Sequence, residues 1–182
     1  MEILLATSNS HKARSIQALL ARPVAHIAID LPEIQAVVVT EVIEAKARAA
    51  YALIGKPVLV EDTGLAIHAW QGLPGALIRW FLDSVGNDGI CTMLQGYADV
   101  AATAETWIGF FDGTEFYAFS GVTEGQIARQ PRGANGFGWD PIFIPNGWTK
   151  TFAELTPAEH EPLSMRTVAV LKLRTFLAEH DL

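Results

Sequence analysis

Two neighbouring carboxylates, Glu61 and Asp62, stand in the stretch VEDTG (60–64), directly after the apolar run PVLV. Bringing two acids together costs free energy unless something positive neutralises them, and hard carboxylate oxygens suit Mg²⁺. The pair reads as an exposed acidic turn or as a metal or catalytic site. Neighbours on a strand point to opposite faces, so one of the two acids is expected to face a ligand. A second constellation is TSNSHK (7–12), a small-polar run after the apolar EILLA. Thr7, Ser8, Asn9 and Ser10 can donate hydrogen bonds, Lys12 adds a charge, and a helix N-terminus attracts anions. It reads as helix capping or as a phosphate loop. A third is GANGFGWDP (133–141), whose three glycines let a backbone turn sharply or approach a ligand. Phe137 and Trp139 read as core residues or as faces on which a flat heterocycle stacks. Asp140, which can only accept, would suit ring N–H donors. Asp30, Glu33 and Glu41, each taken singly, read as solvated acids, and Lys46 lies one residue beyond the i,i+4 spacing that would pair it with Glu41.

Those residues need elements to position them. The run 2–6 reads as a buried strand, followed by a helix over HKARSIQALLA that Ser10 can cap. A second strand is expected at 24–29 and a loop at 30–35, where Pro32 restrains Leu31. The spacing predicts a helix over 40–55, capped by Thr40 and ended by Gly55. A strand over 57–62 ends in the two acids, and GLAIHAW (64–70) alternates separately. After a turn at 71–75, ALIRWFLDSV and DGICTMLQGY read as two short helices. Residues 103–128 read as a β-meander with Asp112-Gly113 at its hairpin turn. A short strand is expected at 140–145. A closing helical stretch, 156–180, opens on the capping box Thr156-Pro157-x-Glu159, with Ser164 capping its longer final helix. The sum is α/β with a mixed sheet, a single domain over 1–182 with a smaller lobe at about 96–121.

The 182 residues suit one domain, and half of them are apolar. A net charge of −7 and a pI of about 5.1 argue against broad non-specific nucleic-acid binding but leave room for one nucleotide in a locally basic pocket. Cys91 is the sole cysteine, which excludes an intrachain disulfide and a cysteine-rich metal site. The N-terminus lacks the charge and apolar length of a signal peptide, and no run of about 18 apolar residues could span a membrane. A cytoplasmic protein without membrane or nucleic-acid partners is expected.

Taken in order, LATSNSHK, VEDTGLAIHAWQGLPG, GFGWDPIF and TFAEL followed by SMR give the chain its resemblance to the house-cleaning inosine/xanthosine triphosphate pyrophosphatases, nearly end to end. The resemblance implies a long mixed sheet with two α/β lobes flanking a substrate cleft, in a homodimer. It implies Mg²⁺-dependent hydrolysis, with Mn²⁺ as the alternative ion, of ITP, dITP and XTP to the monophosphate and pyrophosphate, clearing deaminated purines from the nucleotide pool. Family roles carried onto matching positions assign phosphate binding to Thr7, Ser8, Asn9, Ser10, His11 and Lys12, with Lys46, Thr63 and Arg79. Glu33 and Asp62 would bind the metal, and Asp62, with Glu61, would activate the attacking water. Phe137, Gly138, Trp139, Asp140, His160, Met165 and Arg166 would surround the base, Arg166 reaching its O6. Three positions depart from the family pattern. Ser8 stands at a glycine position, Met165 where the family has histidine, and His160 where it has lysine. Methionine has no N–H to donate to a 6-oxo group. The alternatives are therefore a pyrophosphatase of relaxed or shifted base specificity and a nucleotide-binding protein without turnover.

Overall fold

The structure, a computed structural model, describes residues 3–32 and 34–180. In chain order its elements are β1 (Leu4–Ala6), α1 (Ser10–Leu20), β2 (Ala25–Ile27), α2 (Val39–Ile54), β3 (Val58–Ile67), β4 (Pro74–Gly75), α3 (Ile78–Met93), β5 (Ala101–Phe111), β6 (Phe116–Ile127), β7 (Phe143–Pro145), α4 (Pro157–His160) and α5 (Met165–Glu179). The strands form one sheet in the order β2-β1-β3-β5-β6-β7, with β4 paired to β3. β1 runs parallel to β2 and β3, while β3–β4 and β6–β7 are antiparallel. This is the mixed α/β class expected from the sequence.

Several local expectations hold for the reasons given. Gly55 ends α2 in a left-handed conformation, φ 68°, with its N–H donating to the Tyr51 carbonyl. Asp112 Oδ1 accepts from the N–H groups of Thr114 and Glu115, turning β5 into β6. Thr156 and Glu159 close the predicted capping box. Gly86, at φ 65° and ψ −176°, breaks α3 into the two short helices.

Four expectations are corrected. Asn9, not Ser10, caps α1: its Oδ1 accepts from His11 N at 3.0 Å and Lys12 N at 3.1 Å, while Ser10 is already helical. Thr40 does not cap α2, which starts one residue earlier behind Val38 and has no side-chain cap. The closing helix is interrupted by a 3₁₀ turn at Glu161–Leu163, around the N–H-less Pro162, before α5 begins. Most consequentially, the strand does not stop at the two acids. β3 continues to Ile67, because Leu65 and Ile67 are fully buried and Leu65 and Ala66 pair with Gly75 and Pro74. Glu61 and Asp62 are mid-strand residues.

The chain divides into two compact units. Unit 1 comprises Met1–Thr63, Thr106–Gly121 and Arg166–Leu182, and unit 2 comprises Gly64–Glu105 and Val122–Met165. In unit 1 the alternation of strand side chains sorts the core into two layers. Leu5, Leu59, Ile108 and Phe110 pack with Ile16 of α1 and Ala169 and Leu173 of α5. Ala6, Val58 and Val60 pack with Ile43, Ala47 and Ala50 of α2. Unit 2 has its own core, in which Leu65, Ile67, Ile78, Ile90, Ile127, Phe143 and Phe152 meet Trp139. No helix among the described residues is long and apolar enough to cross a membrane.

Candidate active site

The alternation on β3 decides where each acid goes. Leu59, Glu61 and Thr63 share one parity, that of the layer formed with α1 and α5; Val58, Val60 and Asp62 share the other, that of α2. Each helix supplies a cation to match. Lys12, in the first turn of α1, places Nζ 2.8 Å from Glu61 Oε2 and 3.5 Å from Asp62 Oδ1. Arg166, in the first turn of α5, places Nη2 3.2 Å from Glu61 Oε1. Lys46 belongs to the buried stripe of α2 formed by Val39, Val42, Ile43, Ala47 and Ala50. Its Nζ lies 4.0 Å from Asp62 Oδ1 and 3.5 Å from the Glu61 carbonyl.

The electrostatics of the two acids differ. The Glu61 side chain is fully buried. Burial by itself would raise its pKa, but Lys12, then Arg166, and the hydrogen bonds from Lys12 and Thr63 outweigh it and hold the carboxyl at about 2. Lys12 responds in kind: burial works against its charge, Glu61 and Asp62 outweigh burial, and its pKa is raised. A carboxylate so firmly ionised is a weak base and a strong anchor. Asp62 keeps 14% of its side chain exposed and is the acid that solvent reaches. Among the described residues Lys12, Lys46 and Arg166 gather around the two carboxylates, a concentration of cations that suits a polyanion.

The loop 7–12 is organised by its own hydrogen bonds. Thr7 Oγ1 accepts from Asn9 N at 3.1 Å, and Asn9 caps the helix as described. His26, on β2, donates from Nε2 to the Thr7 carbonyl at 2.8 Å. His11 Nδ1 lies 3.4 Å from Arg14 Nη2 on the exposed side, and Ser8 and Ser10 are exposed. The capping reading of this segment is thus realised in full, and Lys12 is the member it delivers to the acids.

The glycine-rich loop lies in unit 2. Asp140 Oδ2 accepts from Phe137 N at 2.8 Å, Gly136 and Gly138 take φ of 76° and 63°, and Asn87 Nδ2 donates to the Gly138 carbonyl at 2.9 Å. The two rings part company. Phe137 is 37% exposed, whereas Trp139 is 6% exposed and packs edge-on against Phe143, centroids 5.5 Å apart. Of the two proposed stacking faces Phe137 is the more exposed, and Trp139 is buried in the core of unit 2. A Cβ on Gly136 would collide with the Asp140 carboxylate. Gly136→Ala is expected to lower unfolding free energy by more than about 1–2 kcal/mol through left-handed strain alone. A urea midpoint equal to that of the unsubstituted chain would contradict this.

Comparison with known proteins agrees with this architecture. The sequence model of the Ham1 family matches residues 3–176. The chain belongs to the Ham1 family. It is 42% identical to an inosine triphosphate pyrophosphatase of Yarrowia lipolytica, over 98% of this chain and 97% of that protein. It is 39% identical to a dITP/XTP pyrophosphatase of Methanopyrus kandleri, over 93% of each. A solved HAM1 protein from Coxiella burnetii superposes with a TM-score of 0.86 at 33% identity, covering 98% of this chain and 99% of that one. The resemblance carried by the motifs is thereby borne out.

Other residues assigned through that family resemblance fall in different settings. Arg79, on the first turn of α3 in unit 2, is 80% exposed and pairs with Asp83 at 3.6 Å. Met165 is buried in the core of unit 2, and the His160 ring stands edge-on to Phe152 at 4.6 Å. Glu33 lies outside the described residues. Thr106, fully buried on β5, places Oγ1 3.3 Å from Thr63 Oγ1, and Thr63 donates to Glu61 Oε1 at 2.7 Å. Sequence reasoning missed Thr106. Its one signal is a hydroxyl at an inward position of an alternating strand, between Ala104 and Ile108.

Proposed function

We propose that this chain is a nucleoside triphosphate pyrophosphatase that hydrolyses deaminated purine nucleotides, ITP, dITP and XTP, to the monophosphate and pyrophosphate. The observation that carries the reading is the convergence of Lys12, Lys46 and Arg166, from three helices, on the paired acids of β3, a gathering of cations that suits a triphosphate. The names of the Yarrowia and Methanopyrus relatives support the substrate class. Lys12 and Lys46 bind phosphate oxygens. Asp62, the more exposed of the two acids, takes the proton of the water whose oxygen attacks the α-phosphorus, as the bridging oxygen to the β-phosphorus departs. Glu61, held ionised by Lys12 and Arg166, positions those cations and takes no proton.

Mg²⁺ fits this donor set as an ion carried in by the substrate. Such an ion keeps several waters and needs only one or two carboxylates beside the phosphates. Asp62 is one such carboxylate, and Glu33 is the second that the family resemblance suggests. No group of three or more His, Cys, Asp or Glu among the described residues could enclose a metal. Bound there, the ion would neutralise charge developing on phosphate oxygens.

A second reading, relaxed base specificity, draws on two observations. Arg166 is engaged with Glu61, and the buried Met165 has no donor for a 6-oxo group. The deciding experiment is pyrophosphate release with Mg²⁺ from ITP, dITP, XTP, GTP, ATP and pyrimidine triphosphates at equal concentration. Preference for the first three is the expected result, with loss of turnover in EDTA. A 6-oxo over 6-amino ratio above about 10³ in kcat/KM, roughly 4 kcal/mol, would reject relaxed specificity. No release from any substrate would reject both readings.

A further inference from the structure

The hydroxyl pair Thr63–Thr106 has a direction. Thr63 has a single O–H proton, and it goes to Glu61 Oε1 across 2.7 Å. The contact at 3.3 Å between the two threonine oxygens can then be a hydrogen bond only if Thr106 donates and Thr63 accepts. The chain runs Thr106 to Thr63 to Glu61. It ends on the oxygen that also receives Arg166 Nη2, on the carboxylate whose other oxygen holds Lys12. We propose that Thr106 is a positioning residue: through Thr63 it fixes the orientation of the Glu61 carboxylate, and through Glu61 it fixes the Lys12 ammonium for phosphate. Thr106 is fully buried, and its Oγ1 faces Thr63 Oγ1. The relay is the path by which it acts on turnover. Chained hydrogen bonds polarise one another, and a buried carboxylate makes its hydroxyl donor a charge-assisted one.

The link to turnover rests on the reading of Lys12 as a phosphate-binding cation, so the test has two arms. The first follows the Lys12 ammonium signal in ¹⁵N-edited NMR of the full chain. It should be sharp in the unsubstituted protein, broadened in Thr106→Val, which keeps shape and removes the donor, and restored in Thr106→Ser. The second measures kcat/KM for ITP. T106V is expected to lose up to about tenfold, the upper end for one hydrogen bond between neutral groups, and T106S to stay within about twofold. Added to Lys12→Met, T106V should cost nothing further, because its effect passes through Lys12. An unchanged ammonium signal in T106V overturns the relay whatever the activity. So does an equal fractional loss in both backgrounds, or a T106S variant as poor as T106V, which would point to methyl packing. If K12M keeps unsubstituted turnover while T106V broadens the ammonium signal, the phosphate role of Lys12 fails and the relay stands.

Discussion

Asp62→Asn is expected to lower kcat for ITP by about 10³-fold, within the 10²–10⁴ range of a positioned general base. Asparagine keeps the size of the side chain and its amide oxygen still faces Lys12 and Lys46, which lie 3.5 and 4.0 Å from Oδ1. It cannot take a proton from water, and it is a poorer ligand for a divalent ion. The change also weakens the pairing of the inward-facing Lys46, so some stability is lost, while Lys12 keeps its closer partner Glu61. Steady-state pyrophosphate release at saturating ITP, paired with thermal melts at pH 7, separates chemistry from folding. If D62N retains more than roughly a tenth of the original kcat, Asp62 is not the base.

Glu61→Gln should show the opposite balance, with stability as its main casualty. It removes the fully buried anion that Arg166 and Lys12 share, and breaking such a pair costs about 3–5 kcal/mol. The same ion pairs predict a pH dependence whose sign can be worked out. The folded carboxyl titrates at about 2 and the free side chain at 4.5. The contribution is therefore fully present above about 4.5 and is lost as pH falls toward 2, on the order of 3 kcal/mol in all. Glu159 is also held at about 2, by its backbone hydrogen bond to Thr156 and by Lys150, but it is exposed and common to both proteins. Urea unfolding of the unsubstituted chain and E61Q at pH 7 and pH 3 isolates the Glu61 part. The unsubstituted chain should lose more stability between the two pH values than E61Q does, and parallel losses would show that Glu61 is not the group responsible.

How legible was this site before the fold was known? The motif order pointed to the family, and the acids at 61 and 62 stood out because adjacent carboxylates demand compensation. Periodicity also held a clue that spacing to Glu41 obscured. Lys46 falls on the buried stripe of α2 with Ile43, Ala47 and Ala50, and Arg166 falls in register with Ala169, Val170 and Leu173 of α5. A charged residue at an inward helical position needs a buried counter-charge. Nothing local says which acid supplies it. Trp139 illustrates the reverse case. Beside Phe137 in a glycine-rich loop it looked available for stacking, yet Phe143 and Phe152 from later segments cover it.

By itself the sequence determined the α/β class, the hairpin at Asp112-Gly113, the break at Gly86 and the cap at Thr156, because these depend on a residue's own conformational preferences and near neighbours. It also determined which side chains alternate on β3. Tertiary structure decided the division of labour between Glu61 and Asp62. Strand parity puts them on opposite faces, but only the packing of α1 and α5 on one face and α2 on the other assigns Lys12 and Arg166 to Glu61 and brings Lys46 to Asp62. The physical reason is that charge compensation acts through space over a few ångströms, whereas the partners at 12, 46, 61 and 166 are separated along the chain by distances that no local preference can span.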